Sequence, residues 1–156
     1  MSRNLGDVLP DTLFSLLDGS NLSSKRGKAF LVVTQDLEGW PHPALLSYLE
    51  VAARDLRNIR LATWSNSSTS RNMRGNGKLT LAFVDQGLTY YVKGQAKEIQ
   101  EELEGYPGLS LFNMEVLQVL EDIETQTPIT SGILFDPSDV NEYAEMNEQL
   151  IRAILR

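Results

Sequence analysis

The side chains best able to do chemistry are gathered in one stretch, residues 61–85 (LATWSNSSTSRNMRGNGKLTLAFVD). Six hydroxyl or amide residues in a row, 65–70, lead into Arg71-Asn72-Met73-Arg74. Hydroxyls and backbone N–H groups that open a helix, with arginines in its first turns, suit a phosphate. The donors converge, the helix start carries partial positive charge, and a guanidinium forms two parallel hydrogen bonds to an oxyanion. A solvated turn that ends in an N-cap accounts for the same residues. Composition alone leaves both readings open.

Other reactive groups are scarce. With no cysteine, disulfides, thiolate chemistry and cysteine-based zinc sites are excluded. His42 is the single histidine, so a catalytic triad or a histidine metal cluster has one anchor at most, and no metal site is expected. Its place at a hairpin favours a structural role. Glu98, Glu101, Glu102 and Glu104 read as a solvated face, because paired catalytic carboxylates need burial to separate their pKa values. Arg54, Arg57 and Arg60 are expected to pair with surface carboxylates rather than face a phosphate. No side chain stands out as a catalytic acid or base.

The elements that must position this stretch fit one domain spanning residues 1–156. Hydrophobic residues at 42% and charged residues at 22% are ordinary for a globular chain. A net charge of −7 argues against nucleic acid as a main partner, yet leaves room for a local basic pocket. No basic leader segment precedes an apolar core near the N-terminus, and no run approaches the ~20 apolar residues of a membrane span. A soluble, cytoplasmic protein with no membrane contact is the expectation.

Periodicity predicts strands over residues 29–35, 43–51, 59–64, 78–85 and 88–99, with a short last strand within 130–135. Residues 54–58 read as a charged connection and 101–107 as an acidic loop. In the strand 88–99, Leu88, Tyr90, Val92, Gly94 and Ala96 share one face, and the small Gly94 and Ala96 imply a close neighbour or a sharp bend. Helices are expected over 9–17, with Pro10 in the first turn, and at the C-terminus. The last helix has Asp136 as N-cap, Pro137 at its first position, Asp139 near its start, and Val140, Tyr143, Met146, Leu150, Ile151 and Ile154 on its apolar face. Residues 109–123 match helical spacing (Leu109, Phe112, Val116, Leu117, Leu120, Ile123), so periodicity alone says helix there. Strands joined by short turns, without helical crossovers, argue for a mainly β, closed or partly closed antiparallel barrel.

The order of motifs resembles the FMN-binding split barrels of the pyridoxamine 5'-phosphate oxidase-like class. FLVVTQDLEGWPHPALLSYLEV resembles the opening hairpin, IRLATWSNSSTSRNMRGNGKLTLAFVD the strand, phosphate turn, short helix and strand that follow, and YYVKGQAKEI the next strand. The resemblance implies a six-stranded antiparallel split β-barrel with Greek-key order, forming a homodimer with FMN at the subunit interface. By position it places Ser65, Ser67, Ser68, Thr69 and Arg71 around the phosphate, and Thr63 and Trp64 near the ribityl chain or ring edge. Leu45, Leu46 and Ser47 would pass the isoalloxazine, largely through backbone groups. It also turns residues 109–123 into a strand, against the periodicity. Many relatives carry Lys or Arg where Thr69 stands, so Arg71 or Arg74 would have to supply that charge. The implied activity is an FMN-dependent oxidoreductase using a small-molecule substrate or electron donor. The alternative is a non-catalytic flavin-binding or stress-response module, or a deazaflavin or haem binder.

Overall fold

The computed structural model describes residues 1–137 and 142–156, and the side chains of all these except 142–146. Asp139, Val140 and the side chains of Tyr143 and Met146, assigned above to the last helix, lie outside the described residues. In chain order the elements are β1 (Ser2–Gly6), α1 (Asp11–Leu17), a short 3-10 helix (Leu22–Lys25), β2 (Lys28–Gln35), β3 (Pro41–Ser47), β4 (Val51–Asp55), β5 (Asn58–Trp64), α2 (Ser68–Gly75), β6 (Lys78–Asp85), β7 (Leu88–Gln100), β8 (Leu109–Asp122), β9 (Ile133–Leu134) and α3 (Glu142–Leu155). None of the described helices is long and apolar enough to cross a membrane.

All strands join one antiparallel sheet whose main path runs β3-β2-β6-β7-β8-β5-β4, with β1 added on β8 and β9 on β2. β3 and β4 sit at opposite ends of that path, yet only Tyr48-Leu49-Glu50 separates them in the chain. A flat seven-strand path would hold its edges about 29 Å apart, whereas the span from Ser47 to Val51 reaches at most roughly 14 Å. The sheet must therefore curl, and it does so into a half-barrel. The strand expected over 43–51 ends at Ser47, and after Tyr48-Leu49-Glu50 the chain continues as β4; β3 pairs with β2 and β4 with β5, so counting β3 and β4 as one bent segment leaves six on the barrel path. β6, β7 and β8 form a meander and β5 returns beside β8, which is Greek-key order.

Alternation fills the barrel. Phe30 and Val32 of β2, Leu81 and Phe83 of β6, Val92 of β7 and Phe112 and Met114 of β8 are all buried in one cluster that α1 closes with Leu13 and Leu17. Phe30, Tyr48 and Phe83 pack ring against ring at centroid distances of 4.8–5.9 Å. A second cluster lies on the other side of the sheet, where Ile151 and Ile154 of α3 cover Ala52, Ala62 and Leu111. Arg60, buried on β5, donates from Nη1 to the Ile154 carbonyl at 3.0 Å and so ties down the C-terminal end of α3.

Several sequence expectations are corrected here. Residues 109–123 are a strand, as the resemblance implied. Helical spacing arises because β8 carries apolar residues on both faces: Leu111 meets α3 while Phe112 fills the barrel. Residues 54 and 55 belong to β4, and the connection to β5 is only a short turn. Pro10 occupies the N-cap position of α1 rather than its first turn. Asp136 and Pro137 line a cavity, and the start of the last helix that they were expected to form lies outside the described residues, which resume at Glu142.

Candidate functional site

The turn after β5 is built largely from its own hydroxyls. Ser67 is the N-cap of α2, its Oγ accepting from the Ser70 N–H at 3.1 Å. The fully buried Ser70 hydroxyl donates to the Trp64 carbonyl at 2.7 Å and accepts from Ser67 Oγ at 3.1 Å. Thr63 Oγ1, also buried, lies 2.7 Å from the same Ser70 hydroxyl. Ser65 takes a hydrogen bond from Ser110 Oγ at 2.8 Å, which ties the turn to β8. Half the reading of this stretch as a self-capping turn is thus correct: Thr63, Ser65, Ser67 and Ser70 hold the backbone in shape.

What remains for an anion is a smaller set. The N–H groups of Ser68 and Thr69 open α2 ahead of any intrahelical acceptor. The exposed Arg71 folds over the turn, donating from Nη2 to Ser68 Oγ at 3.0 Å and from Nη1 to the Asn66 carbonyl at 3.3 Å. Thr69 is buried, so its backbone rather than its side chain is placed for a ligand. Arg74, the other possible charge partner, is committed inward. It donates to Glu98 Oε1 at 2.6 Å, to the Ser65 carbonyl at 2.7 Å and to Ser110 Oγ at 2.9 Å. Glu98 holds Arg74 charged, and the same hydrogen bond keeps the Glu98 carboxyl below its ordinary range. Asn72 neither caps locally nor faces the turn, because its Nδ2 donates to Thr34 Oγ1 on β2 at 2.9 Å.

Of the remaining expected residues, only Ser47 and Trp64 line a described cavity. Leu45 is 57% exposed on the outer face of β3, Leu46 packs inward against the barrel core, and the Ser47 hydroxyl accepts from the Leu49 N–H at 3.1 Å. Trp64 is 64% exposed and Trp40 68%, so neither is a core residue. Ser47 and Trp64 both border a cavity of ≈ 480 Å³, whereas Ser65, Ser67, Ser68, Thr69 and Arg71 do not. The cavity thus takes in Ser47 and Trp64 from the expected ring end and none of the expected phosphate residues. The rest of the cavity wall, including Leu49, Glu50, Tyr106, Leu109 and Leu150, escaped the sequence reading. Glu50 did leave a signal, as the one charged residue in the apolar run 43–53. Burial pushes its carboxyl up, against the Ser47 N–H that donates to Oε2 at 2.7 Å.

Of the three arginines read as surface partners, Arg57 pairs with Asp7, while Arg60 is the buried anchor of α3. Tyr90 points into the barrel and Tyr91 out of it, their hydroxyls donating to Glu121 and Asp122.

Comparison with known proteins follows the same lines as the geometry. The family model described as pyridoxamine 5'-phosphate oxidase matches residues 24–131. The Bacillus subtilis (strain 168) protein YclD, described as uncharacterized, is 34% identical over 137 residues, covering 86% of this chain and 89% of its own. Among solved structures, a candidate pyridoxamine 5'-phosphate oxidase from Lactobacillus delbrueckii superposes with a TM-score of 0.60 at 15% identity, over 75% of this chain and 98% of that one. A protein described as F420 reductase gives a TM-score of 0.55 at 15% identity, over 71% and 98%. Both structural likenesses concern the fold.

Proposed function

The chain belongs to the pyridoxamine 5'-phosphate oxidase family, and from that premise we propose that it is an FMN-binding flavoprotein acting as an oxidoreductase. The observation that carries this reading is the mouth of the turn after β5. Two free backbone N–H groups at the start of α2, the Ser68 hydroxyl and the Arg71 guanidinium converge there. This donor set fits a terminal phosphate, because each member favours negative charge and the helix start adds its partial positive charge. Ser47 and the exposed faces of Leu45 and Trp64 then offer an apolar edge and backbone groups to the isoalloxazine. When bound, the flavin supplies the redox chemistry, and this chain's residues bind it, orient it and exclude water.

The same reading includes a homodimer. On the outer face of the barrel Leu45, Leu31, Ala82 and Tyr91 stand opposite one another across β3, β2, β6 and β7. This apolar row needs a cover, and a second copy across a twofold axis would supply both the cover and the other wall of the flavin cleft.

A second reading, a flavin-binding module without turnover or one that holds a deazaflavin or haem instead, is favoured by one observation. Arg74 is spent on Glu98, so the turn presents Arg71 without a second guanidinium. The test is the visible spectrum of freshly purified protein, followed by reconstitution with FMN. Wild-type protein is expected to retain FMN and to be reduced by NAD(P)H, while the Arg71→Ala, Ser68→Ala double variant loses most of it. A yellow protein inert to every reductant supports the module, and unchanged retention in the double variant rejects the phosphate assignment.

A further inference from the structure

The ≈ 480 Å³ cavity beside Trp64 is within the range of small-molecule sites and is not required by the phosphate assignment. Its walls are mostly apolar and come from distant parts of the chain: Leu49 after β3, Trp64 at the end of β5, Tyr106 and Leu109 leading into β8, and Leu150 of α3. One carboxylate interrupts that surface. Glu50 has its Oε2 fixed by the Ser47 N–H, while Oε1 has no hydrogen-bond partner among the described residues. Of the other charged groups on the wall, Asp136 is a second acid and Arg26 is a cation with a partner of its own. An apolar chamber with a half-satisfied acid calls for an apolar body that carries a hydrogen-bond donor, best of all a cation.

We propose that this cavity binds a small aromatic amine, its ring among Trp64, Tyr106, Leu109 and Leu150 and its ammonium on Glu50 Oε1. Burial raises the Glu50 carboxyl, and a cation beside it would restore the carboxylate. Two carboxylates, Glu50 and Asp136, outnumber the one guanidinium, Arg26, at the wall, so an anionic compound is disfavoured. That the amine is the substrate rests on the FMN reading, since Ser47 and Trp64 would lie between the cavity and the ring. Binding of the amine itself does not.

The experiment titrates a Trp40→Phe variant, in which Trp64 is the remaining tryptophan, with three probes of similar body: phenethylamine, 2-phenylethanol and phenyl phosphate. Trp64 emission is expected to report phenethylamine binding about tenfold tighter than the alcohol, and no binding of phenyl phosphate. Adding Glu50→Gln, which keeps an acceptor for the Ser47 N–H, should bring the amine down to the alcohol's affinity. Adding Leu150→Phe instead, which narrows the chamber and leaves Glu50 in place, should weaken amine and alcohol alike. Equal affinity for all three probes, or an amine preference that survives Glu50→Gln, overturns the proposal. So does competition between phenethylamine and FMN, which would make the chamber the flavin's own. Protein that fails to take up FMN but keeps the amine preference sinks the flavin reading and supports this one.

Discussion

Arg74 Nη2 lies 2.6 Å from Glu98 Oε1, and through this pair α2 is bolted to β7 directly beneath the turn that presents Arg71. The guanidinium also holds the Ser65 carbonyl and sits 5.7 Å from the Phe112 ring centroid. It thus serves the shape of the turn rather than its charge. Glu98 has its carboxyl lowered from an ordinary value of 4.5, chiefly by the Arg74 hydrogen bond. A carboxyl lowered in the folded state contributes stability that is present above pH 4.5 and is lost as pH falls through the folded value. Glu98→Gln should therefore cost about 1 kcal/mol at pH 7. The gap from wild type should close in acid below pH 4.5, read from urea unfolding across a pH series.

Asn72 and Thr34 form a buried cross-link between α2 and β2 at 2.9 Å. Asn72→Ala leaves the Thr34 hydroxyl with only a 3.5 Å approach to the His42 carbonyl and should cost roughly 1–3 kcal/mol. In a double-mutant cycle with Thr34→Val the coupling should be about 1 kcal/mol. An additive cycle would show that the pair does no more than fill space.

Gly94 lies where β7 bulges against β8, and a Cβ built there meets the Glu115 carbonyl oxygen at 2.3 Å. Because the obstacle is backbone, Gly94→Ala should destabilise by at least about 2 kcal/mol. Gly87→Ala, at φ +65 with open space around it, should cost about 1 kcal/mol. Thermal unfolding of the two variants side by side checks the order.

Ser68 is half-exposed beside Arg71 whereas Thr69 is 5% exposed. Ser68→Arg is therefore expected to tighten FMN about tenfold by adding a second guanidinium at the helix start. Thr69→Lys should instead cost stability by burying a charge. Quenching of FMN fluorescence and urea midpoints separate the two effects.

Leu45 is central to the proposed dimer face, opposite Leu31. Leu45→Lys should convert the dimer to monomer in sedimentation velocity and lower FMN retention with it. A monomeric wild type would remove the two-subunit cleft from the functional reading.

Strands that bury one face, such as β6 and β7, were legible because alternation records burial directly. β8 was not, since α3 covers its second face and both sides became apolar. β1 left no trace, because Leu5 is its one residue packed against the core and the others contribute backbone pairing to β8. Tyr48-Leu49-Glu50 reads as the end of a strand over 43–51, whereas the curl of the sheet makes it the corner between β3 and β4, which take different partners.

The sequence by itself determined that a hydroxyl-rich turn followed by arginines opens a short helix between two barrel strands, because hydroxyls, arginines and turn residues act locally. Only the tertiary structure decided which of them are spent on the fold. Arg74 turns inward because Glu98 waits on β7, Thr63 and Ser70 satisfy each other in the interior, and Glu50 faces a chamber whose walls are far apart in the chain. A side chain's chemistry is fixed by its type, but its availability depends on what folding brings within hydrogen-bond distance.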